Sequence, residues 1–143
     1  GALPRPPAMT VSTRGRYALR VMVELSLQPR DTYTPLRTIA QRQAISLKYL
    51  EAIMNTLSKA GFVDAMHGKG GGYRLSRAPG TYTVADILEL TEVSLSPVSC
   101  VNGSEPCAHA AECRTRRLWA GLDQVISEYL RSITLADLAG PYE

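Results

Sequence analysis

The sequence predicts a mainly α fold with one small β-hairpin, a winged helix-turn-helix domain followed by a long C-terminal dimerisation helix. Three observations carry this. Two capped apolar helices meet at a short turn around Ala44 and Ile45. A glycine-rich basic segment separates two short strand-like runs. From Arg114 onward an apolar stripe continues further than a small domain can cover. With 143 residues, 45% hydrophobic and 20% charged, the chain has the size of one domain or a small domain plus an extension, and needs no disulfides to bury a core.

The proline-rich residues 1–8 precede Met9 and read as a tag or disordered lead. Residues 9–80 form the winged helix-turn-helix domain. Ser12 caps a first helix in which Tyr17, Ala18, Val21, Met22 and Leu25 recur at helical spacing, with Pro29 and Asp31 closing it. Thr34 before Pro35 predicts a second start, the hydroxyl capping and the proline sitting at the first helical position, with the helix running to about Gln43. Ala40 is small enough for close packing, and Ile45 is apolar at the turn. Ser46 caps a third helix with Leu47, Leu50, Ile53, Met54 and Leu57 on one face, Lys48, Glu51, Ala52, Asn55 and Lys59 on the other, and Gly61 as a left-handed stop. Phe62 to Met66 and Tyr73 to Leu75 read as strands flanking the tip from His67 to Gly72. A nucleotide-binding loop is excluded there: Gly70 follows Lys69, where such a loop needs Ser or Thr and a helix.

Residues 81–97 form a connecting helix opened by Thr83 and Asp86 as a capping box and broken at Pro97. Residues 98–113, with Asn102-Gly103 and Pro106, read as a loop bearing Cys100, Cys107 and Cys113. Residues 114–138 hold the long helix, with Leu118, Leu122, Val125, Ile126, Tyr129, Leu130 and Ile133 on one stripe, and a C-terminal segment. Burial of that stripe against a second copy gives a twofold homodimer suited to palindromic DNA.

Charge supports a polyanionic partner. Met9 to Gly80 carries 11 Lys or Arg against 4 Asp or Glu, and Thr81 to Glu143 carries 4 against 9. No apolar run reaches membrane-spanning length and no signal segment opens the chain, so the expected location is the cytoplasm, with no membrane partner. An odd cysteine count in that setting leaves metal ligation or reactive thiol chemistry. Three thiolates need a further ligand: His109 is the candidate imidazole, with Glu105 and Glu112 nearby, and a Cys3His zinc site is chemically reasonable too. A metal-free redox or persulfide sensor is the other reading, with Arg114, Arg116 and Arg117 favouring a thiolate. Neither paired carboxylates nor a nucleophile with a histidine base is evident, so an enzyme is not expected.

The runs Ser12-Thr13-Arg14-Gly15-Arg16-Tyr17-Ala18-Leu19-Arg20, Ile45-Ser46-Leu47-Lys48-Tyr49-Leu50-Glu51 and Gly68-Lys69-Gly70-Gly71-Gly72-Tyr73 resemble the Rrf-type bacterial winged-helix transcriptional regulators, from about Met9 to Leu138. The pattern is nearest to the IscR-like iron-sulfur branch, and the closing Ser132 to Leu138 resembles its C-terminus. The resemblance implies a homodimeric regulator of promoter DNA controlled by an iron-sulfur cluster at Cys100, Cys107 and Cys113, [2Fe-2S] in the first instance and [4Fe-4S] or none in the alternatives. It places Lys48 and Glu51 at base edges and His67 to Lys69 at the minor groove, chemistry that suits guanine, cytosine and a narrow electronegative groove. Arg14, Arg16 and Arg37 are expected on phosphate, and Ser46, Tyr49, Asn55 and Arg74 complete the DNA-binding set. Two departures stand out. Arg116 occupies the place of the IscR-like histidine ligand, and Arg16 that of an aspartate ligand in NsrR-like members. Ala44 stands where members often carry glycine, which costs up to about 1 kcal/mol if the turn needs positive φ. The alternatives are a cluster-free thiol-sensing or partner-controlled repressor, as in CymR-like members, and an iron-sulfur or zinc protein that does not bind DNA.

Overall fold

The computed structural model describes residues 11–92 and 114–141; Cys100, Cys107, Cys113 and His109 lie outside the described residues, as does the stretch from 93 to 113. Three helices open the fold: α1 (Thr13–Ser26), α2 (Leu36–Gln43) and α3 (Leu47–Lys59). An antiparallel hairpin follows, β1 (Val63–Met66) with β2 (Gly72–Leu75), paired Val63 to Leu75, Asp64 to Arg74, Ala65 to Tyr73 and Met66 to Gly72. A 3-10 turn (Pro79–Thr81) leads to α4 (Val84–Thr91), and beyond residue 113 come α5 (Arg116–Ser132) and α6 (Leu135–Ala139).

The core is where helical spacing puts it. Ala18, Val21, Met22 and Leu25 of α1 meet Ile39 and Ala40 of α2 and Leu50, Ile53, Met54 and Leu57 of α3, while Val63 and Leu75 close the wing base. Tyr82 is fully buried beneath the wing, and its hydroxyl donates to the Phe62 carbonyl at 2.7 Å. Such burial is tolerable only because the hydroxyl is satisfied.

Local capping signals behave as expected. Ser12 Oγ accepts from Gly15 N at 3.0 Å, and Ser46 Oγ accepts from Tyr49 N at 3.2 Å. Thr83 and Asp86 form a reciprocal box, Asp86 N to Thr83 Oγ1 at 3.1 Å and Thr83 N to Asp86 Oδ2 at 3.0 Å. Gly61 ends α3 at φ 77°, as a left-handed stop should. Ala44 ends α2 at φ 54° and ψ 44°, so the helix-turn-helix turn does require the left-handed region. A non-glycine residue there costs about 1–2 kcal/mol, offset by the roughly 0.4–1 kcal/mol that glycine loses in chain entropy. Ala44→Gly is therefore expected to stabilise by about 0.5–1 kcal/mol, read as a raised urea midpoint with an unchanged slope.

Several expectations need correction. Thr34 does not cap α2: Pro35 is the N-cap, no side chain caps it, and the helix begins at Leu36. Thr34 is buried and its backbone pairs with β2 instead, Thr34 N to Tyr73 O at 2.8 Å and Tyr73 N to Thr34 O at 2.9 Å. An isolated antiparallel bridge thereby ties the wing to the residue ahead of α2. Leu47 is 42% exposed, because it sits at the first position of α3, before the apolar face turns inward. The first helix stops at Ser26, ahead of Pro29, and the long helix starts at Arg116 rather than Arg114.

The long stripe proves to be two stripes. Ile126, Leu130 and Trp119 are half-buried, and α5 packs against α4. Leu118, Leu122, Val125 and Tyr129 are exposed, at 60%, 38%, 61% and 64%. At its C-terminal end α5 is pinned to the body. Val84 N donates to Ile133 O at 2.8 Å, Leu135 N donates to Tyr82 O at 3.1 Å, and Arg131 bridges to Glu89 at 2.7 Å. The segment then closes with a second capping box, Thr134 with Asp137, that seats the buried Leu135.

Candidate nucleic-acid interface

Burial of Leu50, Ile53, Met54 and Leu57 leaves the opposite face of α3 in solvent. Lys48, Glu51, Ala52, Asn55 and Lys59 are all exposed on it. Lys48, Glu51 and Asn55 have no side-chain partner among the described residues, so their donors and acceptors are available. Ser46 is exposed at the head of α3 with its hydroxyl engaged as the cap. Tyr49 is half-buried, edge-on to Tyr17 of α1 with ring centroids 5.8 Å apart.

The basic residues divide by what they touch. Arg37 is exposed near the start of α2 and unpaired among the described residues. Arg14 donates to Thr56 Oγ1 at 2.5 Å, which joins α1 to α3. Arg16 reaches back to Thr13 Oγ1 at 3.3 Å. Arg20, which sequence reasoning did not single out, lies over the Tyr17 ring at 5.2 Å and donates to Gln43 Oε1 at 3.0 Å and Gln43 O at 3.2 Å. Thr13, Arg16, Tyr17 and Arg20 line a shallow concavity beside α3. The clue to Arg20 was its helical spacing from Arg16, one turn further along α1.

At the wing, the tip residues His67 and Lys69 are exposed, with Gly68 at φ 89° and Gly70 at φ 81° permitting the tight reversal. Arg74 is drawn inward rather than left free: its guanidinium lies 4.5 Å from the Tyr33 ring and 3.6 Å from Asp64. The structure thus brings Lys48, Glu51 and Asn55 onto one helix face, flanks that face with α1 arginines, and leaves the wing tip cationic. Such an arrangement can offer base-edge donors and acceptors from α3 and phosphate-binding cations from its flanks.

Comparison with known proteins agrees with this geometry. The profile of the Rrf2 family, described as "Iron-dependent Transcriptional regulator", matches residues 11–141. The chain is 36% identical over 135 residues to the HTH-type transcriptional regulator IscR of Erwinia tasmaniensis, covering 94% of this chain and 81% of that protein. Among solved structures it is similar to CymR, the global cysteine regulator of B. subtilis, with TM-score 0.77, 37% identity and coverage of 91% and 95%. It is also similar to T. potens IscR, with TM-score 0.72, 35% identity and coverage of 90% and 85%. These relatives are transcriptional regulators and not enzymes. An exposed polar face on α3, a hairpin wing and a match along nearly the whole described chain lead to one conclusion: the protein belongs to the Rrf2 family of winged-helix, DNA-binding transcriptional regulators.

Proposed function

We propose that the protein is a cytoplasmic homodimeric regulator that reads a palindromic operator with Ser46 to Lys59 and the wing, under control of an iron-sulfur cluster held by Cys100, Cys107 and Cys113. The observation that carries the reading half is the free, exposed set Lys48, Glu51 and Asn55 on α3. Lys48 can donate to guanine and Glu51 can accept from cytosine, while Lys69 and His67 suit a narrow minor groove. Arg16 and Arg37 are assigned to phosphate, and Arg14 and Arg74, already engaged within the protein, to orientation of the elements that carry the contacts.

The donor set fits an iron-sulfur group in kind: three thiolates within one short stretch, with His109 the imidazole among them, and one further ligand needed. Arg116 opens α5 and is exposed, so its position supplies no ligand. Bound there, a cluster supplies occupancy that depends on iron, oxidant or nitric oxide. The protein's part is to join that segment to α4 on one side and α5 on the other. Because α5 is fixed to the body at Ile133 and Leu135, a change between residues 92 and 114 acts on the helix that spaces the two reading heads.

One observation favours a second reading. By the resemblance, Arg116 and Arg16 stand at the ligand positions of IscR-like and NsrR-like members, which suits a metal-free thiol repressor of the CymR kind. Iron, sulfide and zinc analysis of anaerobically purified protein separates the two. The cluster reading expects equal iron and sulfide and a brown protein, and loss of both in the Cys100→Ser/Cys107→Ser/Cys113→Ser variant. A colourless protein with no iron whose operator affinity still responds to thiol oxidation favours the second. Equal operator affinity of wild type and triple variant under every condition removes sensing from both.

A further inference from the structure

Glu92, at the C-terminal end of α4, holds the start of α1. Ser12 N donates to its Oε1 at 2.9 Å and Ser12 Oγ donates to the same oxygen at 2.6 Å. The hydroxyl works twice, since it also accepts from Gly15 N at 3.0 Å as the helix cap. A carboxylate at a helix N-terminus is favoured by the exposed N–H groups and the helix dipole.

Gly15 shows how tightly this contact is built. It is buried, and a Cβ there would overlap Glu92 Oε1 and press on Thr91 Oγ1 at 3.1 Å and Leu88 Cδ2 at 3.2 Å. The missing side chain is what lets the carboxylate reach the helix. On the same turn, Arg14 donates to Thr56 Oγ1 at 2.5 Å, and Thr56 Oγ1 donates to Ala52 O at 3.2 Å within α3. The first turn of α1 therefore grips Glu92 with one residue and the DNA-facing helix with another.

We propose that Glu92 is a positioning residue for DNA recognition: through Ser12, the first turn of α1 and Arg14, its carboxylate sets the orientation of α3. Along the chain it precedes the stretch bearing the cysteines, with Cys100, the first of the three, eight positions on. A shift there that pulls Glu92 from Ser12 reaches α3 without any contact between cysteine and DNA. The proposal rests on the cysteine-sensing reading. It requires that the two states of that stretch hold the carboxylate differently, since a group bound equally in both transmits nothing.

The test is a ratio of operator affinities, protein as purified anaerobically against the same protein stripped of metal by chelator or oxidised at its thiols. Where wild type gives a ratio typical of allosteric coupling, about 5–150-fold, Glu92→Ala is expected to bring it within about twofold of unity. Glu92→Gln, which keeps an oxygen able to accept both Ser12 donors, is expected to retain it. Gly15→Ala, which displaces the carboxylate without altering it, should match Glu92→Ala, and the double variant should add little further. The salt dependence of binding should stay unchanged throughout, because no phosphate contact is removed. If Glu92→Ala does not fold, Ser12→Ala carries the same readout. A wild-type ratio above unity that Glu92→Ala and Ser12→Ala leave intact overturns the relay alone. A wild-type ratio of unity overturns the sensing reading and the relay with it.

Discussion

On the proposed homodimer, glutamate at both Val125 and Tyr129 is expected to give a monomer and to lower operator affinity by about 100-fold or more, as a two-headed reader loses the gain of linked half-sites. Leu118, Leu122, Val125 and Tyr129 recur at spacings of four, three and four, the 3.5-residue repeat of helices that pack in pairs. They are exposed at 60%, 38%, 61% and 64%, and α5 has no buried residue of its own. In the proposed homodimer a second copy covers this apolar edge, and twofold pairing would place four carboxylates in the seam. Each costs several kcal/mol when desolvated without a partner. Light scattering on the eluting protein and operator titration are the measurements. Circular dichroism should show helix content retained, since the α5 end is held through Val84, Tyr82 and Arg131. A variant that stays dimeric with wild-type affinity would falsify this interface.

Gly72→Ala is expected to destabilise by about 3 kcal/mol or more and to lower Tm by roughly 6–12 °C. Gly72 has φ 151°, open in practice only to glycine, and a Cβ would drive into the Thr34 carbonyl and lie 2.7 Å from Pro35 N. Backbone cannot yield as a side-chain tip can, so relief requires parting Thr34 from Tyr73 and giving up both bonds that fasten the wing to α2. The comparison is with Gly68→Ala and Gly70→Ala, whose surroundings are open and whose cost is only that of positive φ, about 1 kcal/mol each. Thermal melts of the three variants decide it. Equal shifts would show that the wing is not anchored through Gly72. Beyond stability, a loosened wing should weaken DNA binding, most on sites with a narrow minor groove, because His67 and Lys69 are assigned there.

How far the sequence could be read depended on how far each signal reached along the chain. Ser12, Ser46 and the Thr83–Asp86 pair each cap through a bond to a residue three positions away, so their meaning is written next to them. Thr34 carried the same local signal and misled. Its backbone was claimed by Tyr73, a partner set by the wing folding back, and no neighbour announces that. Arg14 and Arg74 looked alike as surface cations. Only packing put one on Thr56 and the other over Tyr33 beside Asp64. Arg20 gained its place through Gln43 and Tyr17, and Glu92 through Ser12 and Gly15, pairings that spacing alone does not reveal.

By itself the sequence determined the starts of α1, α3 and α4, the buried faces of α1 and α3, the hairpin and its glycine tip, and the family, because caps, helical periodicity and turn chemistry act over a few residues. Tertiary structure decided which arginines are free, that Thr34 serves the wing, that the apolar stripe of α5 divides into a packed edge and an open one, and that Glu92 holds the first turn of α1. Each of those depends on where two distant segments meet, and that is settled only when the core closes.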